Sequence, residues 1–590
     1  MKGLHQFTRQ TRKAHRYLMA IVGIQLFIWA ASGTYMVWLN IHSIHGDEWL
    51  QSPPVLTGLG PQSYPISELA IAFPKATNIK LKMLGDKPVY LFKQFAQTIM
   101  LDATNGEKIS PLSSSEIQEL LPFVIDKPQS FFDNNIKNIN LLTDSVPEEI
   151  SGRSLPLWQI ELKDWDSTTI YIGQNNGEVE YVRHNRWRIF DLFWRLHIMD
   201  YSEGEDIGNN LLIFATVLSF IAVLAGFVLL TLRLRLYTVT SRLTSKIIRP
   251  NQSISYTSRI QNFIKKTHKW FALIVLIQLL IWMVSGFLLG QVDYDLASGK
   301  ATATWVHEKP KTFLNTEKLS HTSLLNLLDI SELVQVVSLR ERDNQWLYQL
   351  QYKKGRHSYW PAYFELFNTS TGDAEPLNEQ MLVELAWQSI DRDYKVSMAQ
   401  EVTQQSLDPV LLVPPIDDLP NEYNRVWQVK LADHHNTAIY FNADNGDLIA
   451  HVNDTTRWRN LLLMLHFMDY LPHNPKQGAF NNVFIKTMSI FALALSLSGL
   501  AWLLSLLWLY LRQDRGSTLL LDSLIASKQL TTANCGGGGT CGRCTFLSST
   551  PPEPNDREKA LLSQIELDQG VRLACQHKVN GVSGVSVYVK

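Results

Sequence analysis

The sequence has only four cysteines among 590 residues, and none precedes residue 535. The long polar loops described below therefore carry no disulfides. Acidic residues are missing from two stretches. Residues 1–16 hold Lys2, Arg9, Arg12, Lys13 and Arg16 with no carboxylate, and Arg233–Lys269 holds nine Lys and Arg with none. A dinucleotide-binding fingerprint is also missing, since the glycines Gly536 to Gly539 follow no Rossmann spacing. Neither a flavin nor a nicotinamide domain is recognisable, so any reducing equivalents come from a separate protein.

The near-zero net charge of −1 conceals an uneven distribution. Apolar runs lie at about Tyr17–Leu39, Leu211–Leu232, Phe271–Val292 and Met488–Leu509. Each reaches the roughly 20 residues that cross a bilayer. The first is too long for a cleavable signal and lacks a small-residue cleavage site, so it reads as a retained anchor. Basic segments without carboxylates stay on the cytoplasmic side. Both termini are then inside, and the loops 40–208 and 293–482 are outside.

One stretch occurs twice. Aligning His15 on His268 brings Ile21, Val22, Ile24, Gln25, Leu26, Ile28, Trp29, Ser32 and Gly33 onto Ile274, Val275, Ile277, Gln278, Leu279, Ile281, Trp282, Ser285 and Gly286. His15, Val22, Gln25, Trp29 and Ser32 are spaced by seven, three, four and three, which makes one stripe of a helix. That stripe is predicted to face inward. The chain thus reads as two parallel repeats, each a helix, an exported domain and a helix, related by a pseudo-twofold along the membrane normal.

Short alternating strands with turn signals fill both loops: Trp158–Leu162, Thr169–Ile172 and Asn176-Gly177-Glu178 in one, Trp427–Leu431, Ala438–Phe441 and Asn445-Gly446-Asp447 in the other. With Asn105-Gly106-Glu107 and Thr371-Gly372-Asp373 earlier in each, every loop holds two small hairpin-containing units. No catalytic constellation stands out. The clusters His42/His45 and His434/His435 have the chemistry to bind a metal, but neither has a counterpart in the other half, and they read as surface histidines.

Hairpins with such turns, between membrane helices that begin with a His, resemble the PepSY-associated transmembrane family over residues 10–510. The resemblance implies α+β PepSY-like domains. Its members include inner-membrane reductases of ferric siderophores, which implies a periplasmic Fe(III) chelate as acceptor.

Near the end of each loop, Arg186-Trp187-Arg188 with Leu196-His197-Ile-Met-Asp200-Tyr201 is answered by Arg457-Trp458-Arg459 with Leu465-His466-Phe-Met-Asp469-Tyr470. Only two histidine pairs survive comparison of the halves, His15 with His268 at the inner end and His197 with His466 at the outer end. Ionisable rings in a membrane are costly and point to function. A pseudo-twofold brings equivalent imidazoles face to face, as the axial ligands of a b-type haem require. A single such histidine would be read as interfacial; two matched pairs favour two haems. Arg186, Arg188, Arg457 and Arg459 are candidates for the haem propionates, or equally are interfacial anchors beside Trp187 and Trp458. Ser32-Gly33 and Ser285-Gly286 suit close helix approach or room for a macrocycle.

The C-terminal segment carries Cys535-Gly-Gly-Gly-Gly-Thr-Cys541-Gly-Arg-Cys544 and then Leu-Ala-Cys575. This spacing reads as a metal site, with tetrahedral zinc the competitor of an iron–sulfur cluster. The order C-x5-C-x2-C followed by Leu-Ala-Cys resembles the [2Fe–2S] ferredoxin family from about Ser517 to Lys590. By that resemblance Cys535, Cys541, Cys544 and Cys575 are the cluster ligands, in a β-grasp domain that lacks its usual first hairpin.

The expected organisation is 1–39 (N-terminus and first span), 40–208 (periplasmic domain), 209–233 (second span), 234–267 (basic cytoplasmic loop), 268–292 (third span), 293–482 (second periplasmic domain), 483–510 (fourth span) and 511–590 (cluster domain). The expected function is that of a bacterial inner-membrane oxidoreductase. A cytoplasmic flavoprotein or ferredoxin reductase would donate electrons through the cluster and two haems to the chelate. Membrane lipid is a partner and nucleic acid is not. The alternatives are delivery to a quinone or a periplasmic redox protein, a haem-free PepSY sensor with the cluster as redox switch, and a transporter. The last is opposed by unbroken spans that lack acidic residues.

Overall fold

The computed structural model describes residues 2–240, 256–304, 319–470, 481–512 and 519–588, with short breaks at 96, 110, 203, 331–332, 343–344, 353–361, 398–402, 414–415, 417, 420–424, 528, 531–538, 540 and 580–581. The chain divides into two compact units, one made of 1–35, 195–290 and 483–590, the other of 36–194 and 291–482.

The first unit is built on four long helices, Lys2–Trp38, Asn210–Thr240, Tyr256–Leu289 and Val483–Arg512. All four contain stretches long and apolar enough to cross a membrane. The repeated stripe turns inward: Val22, Trp29 and Ser32 are buried in the first helix and Val275, Gln278 and Ser285 in the third, while Ile21, Ile24, Ile274 and Ile277 are exposed. Polar contacts join the helices. His15 bonds to the second helix, His268 to the fourth, and Thr34 Oγ1 on the first donates to Ser489 O of the fourth (3.2 Å).

Both helix ends at the basic loop differ from the sequence reading: the second helix runs on to Thr240. The third helix begins at Tyr256, twelve residues before His268, because nothing from there to Gly286 interrupts helix formation. His268 accordingly sits inside a continuous helix, as His15 does in the first. The rest of the basic loop, 241–255, lies outside the described residues.

The same unit ends in a small domain with helices Leu520–Ala526, Asp556–Leu561 and Gln564–Asp568 and a three-stranded sheet. Its core joins Leu520, Leu521, Leu524, Phe546, Val571 and Leu573 with two of the cysteines. Among the described residues no strand precedes Leu520–Ala526, and Leu519 makes a single bridge to Lys578.

The second unit is a set of antiparallel sheets. The strands before residue 190 are β1 (Ala76–Leu84), β2 (Lys87–Gln94), β3 (Gln97–Asp102), β4 (Ile136–Leu142), β5 (Leu157–Leu162), β6 (Thr169–Gly173) and β7 (Val179–Arg183). The later loop adds β8 (Val336–Arg342), β9 (Gln345–Gln351), β10 (Phe364–Asn368), β11 (Pro409–Leu412), β12 (Val426–Lys430), β13 (Ala438–Asn442) and β14 (Leu448–Val452). Strands β4–β7 form one four-stranded sheet and β11–β14 another, each in sequential order.

The loops do not fold apart. Strands β1 and β8 pair with each other, with Leu81 opposite Val337, and fuse two three-stranded meanders into one six-stranded sheet, β10-β9-β8-β1-β2-β3. The pairing covers two edges that would otherwise present unpaired backbone groups. Helices Ile66–Ala72 and His321–Ile330 supply residues to the core on one face, which contains Leu81, Tyr90, Val337 and Tyr348. The two tyrosine hydroxyls donate to Tyr64 O and Ser320 O, both at 3.1 Å.

His451 on β14 is buried between Thr302 Oγ1 (3.2 Å) and Ser389 Oγ (3.0 Å). Burial pushes its imidazole down to about 4, against an opposing pull from Asp433. The folded state thus prefers the neutral ring: its contribution to stability is full above an unfolded value near 6.5 and is lost as pH falls towards 4. His451→Gln should flatten the pH dependence of the melting temperature between those values, and an unchanged slope would refute this role.

Candidate metal centres

A carbonyl oxygen only accepts, so a ring nitrogen bonded to one must carry the proton. His15 Nδ1 lies 2.8 Å from Ala222 O on the second helix. Its ring is fixed as the Nδ1–H tautomer, and Nε2 keeps its lone pair. His268 repeats the arrangement on the fourth helix, with Nδ1 3.3 Å from Leu495 O and 3.2 Å from Ser498 Oγ. The Ser498 hydroxyl donates to Leu495 O (2.8 Å), so its oxygen can accept only from the imidazole N–H.

His197 Nδ1 is engaged by a side chain. It is 3.0 Å from Ser32 Oγ, whose proton is committed to Ile28 O at 2.7 Å. Trp29 Nε1 donates to His197 O (2.8 Å) and holds the backbone, while Asp200 accepts from the N–H groups of Ser202, Glu205 and Asp206 and closes the turn that follows. In the other unit, burial alone pushes the His466 imidazole down to about 4, which keeps it neutral.

Neutral imidazoles whose Nδ1–H is already bonded are the form in which histidine ligates iron, and the outer bond fixes the ring's orientation. The donor chemistry at His15 and His268 fits a metal ligand. His15 and His268 lie within electrostatic reach of each other.

Two glycines make room for the inner pair. A Cβ at Gly226 would lie 3.0 Å from His15 Cε1, and one at Gly499 would lie 3.1 Å from His268 Cε1. The sequence reading missed both. Their signal was present, since Leu-Ala-Gly226 and Leu-Ser-Gly499 are single glycines at matching places in the second and fourth apolar runs. A Cβ at Gly33 would lie 3.4 Å from His197 Cε1, an ordinary contact.

The arginines require a correction. Arg188 Nε donates to Glu149 Oε2 (2.7 Å), and Glu149 also accepts from the Tyr171 hydroxyl, itself bonded by Gln159. Arg457 makes the corresponding network with Asp418 (3.0 and 2.9 Å), Tyr440 and Gln428. Arg457 therefore answers Arg188 and not Arg186, because the two Arg-Trp-Arg triplets stand two residues out of register. Arg186 is held by Asp166 (2.7 Å). Three of the four propionate candidates are thus engaged with carboxylates. Arg459 is the fourth; it is half-buried, its guanidinium held below the ordinary range by burial, with Nε unpartnered among the described residues.

His42 is half-buried and bonded through Nδ1 to Asp47 (2.9 Å), which corrects its reading as a surface residue. His434 and His435 lie beside Tyr394, with ring centroids 6.4 Å away. Next to the Arg457 network the structure opens a cavity of about 580 Å³, lined among others by Asp418, Gln428, Lys430, Tyr440 and Arg457.

In the C-terminal domain β15 (Thr545–Leu547) lies between β16 (Val571–Leu573) and β17 (Ser586–Val587). Pairing of Thr545 with Leu573 sets Cys544 beside the turn Ala574–Gln576, and Ala574 N–H donates to Cys544 O (2.8 Å). Cys544 and Cys575 are buried together and Cys541 is half-exposed. Contact with Cys575 first, then burial, holds the Cys544 thiol above its usual range, and the Cys541 charge adds to this. Thiols crowded in this way gain from binding a cation. Gln576 Nε2 donates to Cys575 Sγ (3.2 Å), the kind of bond that tunes a metal-bound sulfur. Cys535 lies outside the described residues.

Residues 510–580 match the 2Fe-2S iron-sulfur cluster binding domain. No curated protein matches the chain. The chain thus carries an iron–sulfur electron-transfer domain beside four apolar helices.

Gly539, between the first two cysteines, has φ +62°, and a Cβ there would lie 2.5 Å from Gln576 Nε2. Gly539→Val should lower the non-haem iron bound per purified chain at least about twofold by straining this loop. Full iron content would show that the loop tolerates a side chain.

Proposed function

We propose that this protein carries electrons across the bacterial inner membrane. A cytoplasmic flavoprotein or ferredoxin reductase gives single electrons to a [2Fe–2S] cluster held by Cys535, Cys541, Cys544 and Cys575. Two b-type haems, bound by His15 with His268 and by His197 with His466, carry them outward to a periplasmic ferric siderophore or other Fe(III) chelate. The haem supplies a one-electron Fe(III)/Fe(II) couple within the hydrocarbon layer.

The observation that carries this reading is the tautomer lock. His15 and His268 each commit Nδ1–H to an oxygen of another helix and leave the Nε2 lone pair for a metal, and His197 Nδ1 is bonded to Ser32 Oγ. Ser32 and Ser498 turn their oxygens to the imidazoles by spending their own protons on backbone carbonyls. Gly226 and Gly499 let the rings lie close to the neighbouring helices, and Gln576 donates to the Cys575 sulfur.

The inside-to-outside direction rests on the basic segments 1–16 and 233–269. The acceptor rests on the likeness to PepSY-associated siderophore reductases. The cavity of about 580 Å³ beside Arg457 supports it, being of a size that takes a small ligand.

The test is an optical spectrum of detergent-purified protein, oxidised and dithionite-reduced, with haem and non-haem iron quantified separately. Two low-spin b haems and two non-haem irons per chain are expected. Iron in the cluster with no haem would return the histidines to structural roles and make a redox sensor the better reading.

Gly226→Val should force the His15 ring off the Ala222 carbonyl and abolish one low-spin haem while leaving the other; Gly499→Val should do the same through His268. Two intact low-spin haems in both variants would refute the inner-pair assignment.

A further inference from the structure

The C-terminal domain follows the fourth long helix, yet its helix Asp556–Leu561 is tied to the third. Asn555 caps the helix Asp556–Leu561, accepting from the N–H groups of Arg557 and Glu558. Glu558 is fully buried, and its Oε1 accepts from Leu573 N–H (2.6 Å) and from His577 Nε2 (2.8 Å). These two donors flank Cys575 in sequence. One carboxylate therefore pins the start of this helix to the turn that carries a proposed cluster ligand.

Arg557, the neighbouring residue, points the other way. Its Cδ lies 3.2 Å from where a Cβ of Gly539 would be, so its stem lies beside the backbone at Gly539. Its Nη2 then donates to Gln261 Oε1 of the third helix (3.3 Å). Gln261 precedes His268 by seven residues, so the two share a helix face about 10 Å apart along the axis. Lys265, one turn on from Gln261, lies within electrostatic reach of both Arg557 and Arg16. Arg557 is thus held among like charges, a placement that costs energy in the absence of a directed contact.

From this geometry we infer that Arg557 is a positioning residue: it ties Gly539 and the helix pinned to the Cys575 turn to the N-terminal end of the third helix. It thereby fixes the gap that an electron crosses from the cluster to the inner histidine pair. The inference rests on the proposed electron path. The transfer it serves is balanced: one electron passes from the reduced cluster to ferric iron at the inner pair, with no bond or proton exchanged. The cytoplasmic donor supplies the electron.

The test uses the full-length purified protein with cluster and haems. Arg557→Glu should slow the arrival of electrons at the haems about tenfold in stopped-flow reduction by dithionite-reduced ferredoxin. The electron paramagnetic resonance signal and iron content of the cluster should stay unchanged, and backbone hydrogen exchange over residues 257–263 should rise. Adding Gln261→Arg to Arg557→Glu restores a polar contact of opposite order and should recover most of the rate. Gln261→Ala removes the same bond without touching the cluster domain and should reproduce the exchange change if Arg557→Glu disturbs cluster loading.

Wild-type rate and wild-type exchange in both Arg557→Glu and Gln261→Ala would overturn the clamp. Absence of haem from the wild-type protein would instead overturn the proposed path, and the exchange measurements would still decide the clamp.

Discussion

The constraint on which the four-helix unit depends is the placement of an imidazole inside an apolar helix. A ring there has two nitrogens to satisfy, and an unmet polar group in apolar surroundings costs several kcal/mol. The chain answers with the exposed lone pairs of a neighbouring helix. Ala222 O receives His15, Leu495 O and Ser498 receive His268, and Ser32 receives His197. Each bond ties two helices together, selects one tautomer and aims the remaining lone pair. Helix packing and selection of the histidine tautomer are thus the same interaction. The glycines at 226 and 499 follow from it, because a carbonyl within hydrogen-bond reach of a ring leaves no space for a side chain one turn further along.

In the second unit, the organising interaction is the pairing of β1 with β8. It makes the loops at 36–194 and 291–482 share one sheet and one core, so neither three-stranded meander has to cover its own edge. The outlying sheets are braced in the same manner as each other. Arg188, Glu149 and Tyr171 match Arg457, Asp418 and Tyr440 residue type for residue type, with one acidic residue differing in length. Such charge-assisted bonds are directional, which explains why both networks keep the tyrosine as second donor to the carboxylate.

The cysteine domain shows how a short sheet organises a metal site. Three strands of two or three residues would be marginal alone. Here they are reinforced by Glu558, which joins a helix to the ligand turn, and by Arg572, whose guanidinium donates to Pro552 O, Leu567 O and Val571 O. A buried carboxylate and a buried guanidinium do the work that extra strands do in a larger sheet.

The sequence by itself determined what is periodic or local. The apolar runs, the inward stripe from Val22 to Ser32, the hairpin turns at Gly106, Gly177, Gly372 and Gly446 and the cysteine spacing are all written within a few residues of each other, because helix and strand periods act at that range. Comparison of the halves added the histidine pairs. Only the tertiary structure decided the partners. Arg188 finds Glu149 and Arg457 finds Asp418 across 39 residues each, His15 finds Ala222 across 207, Arg557 finds Gln261 across 296, and β1 finds β8 in the other loop. No local pattern encodes such choices, and the triplet Arg-Trp-Arg even suggested a false register. They are set by which backbone oxygens and carboxylates remain unpaired once the helices and sheets have packed.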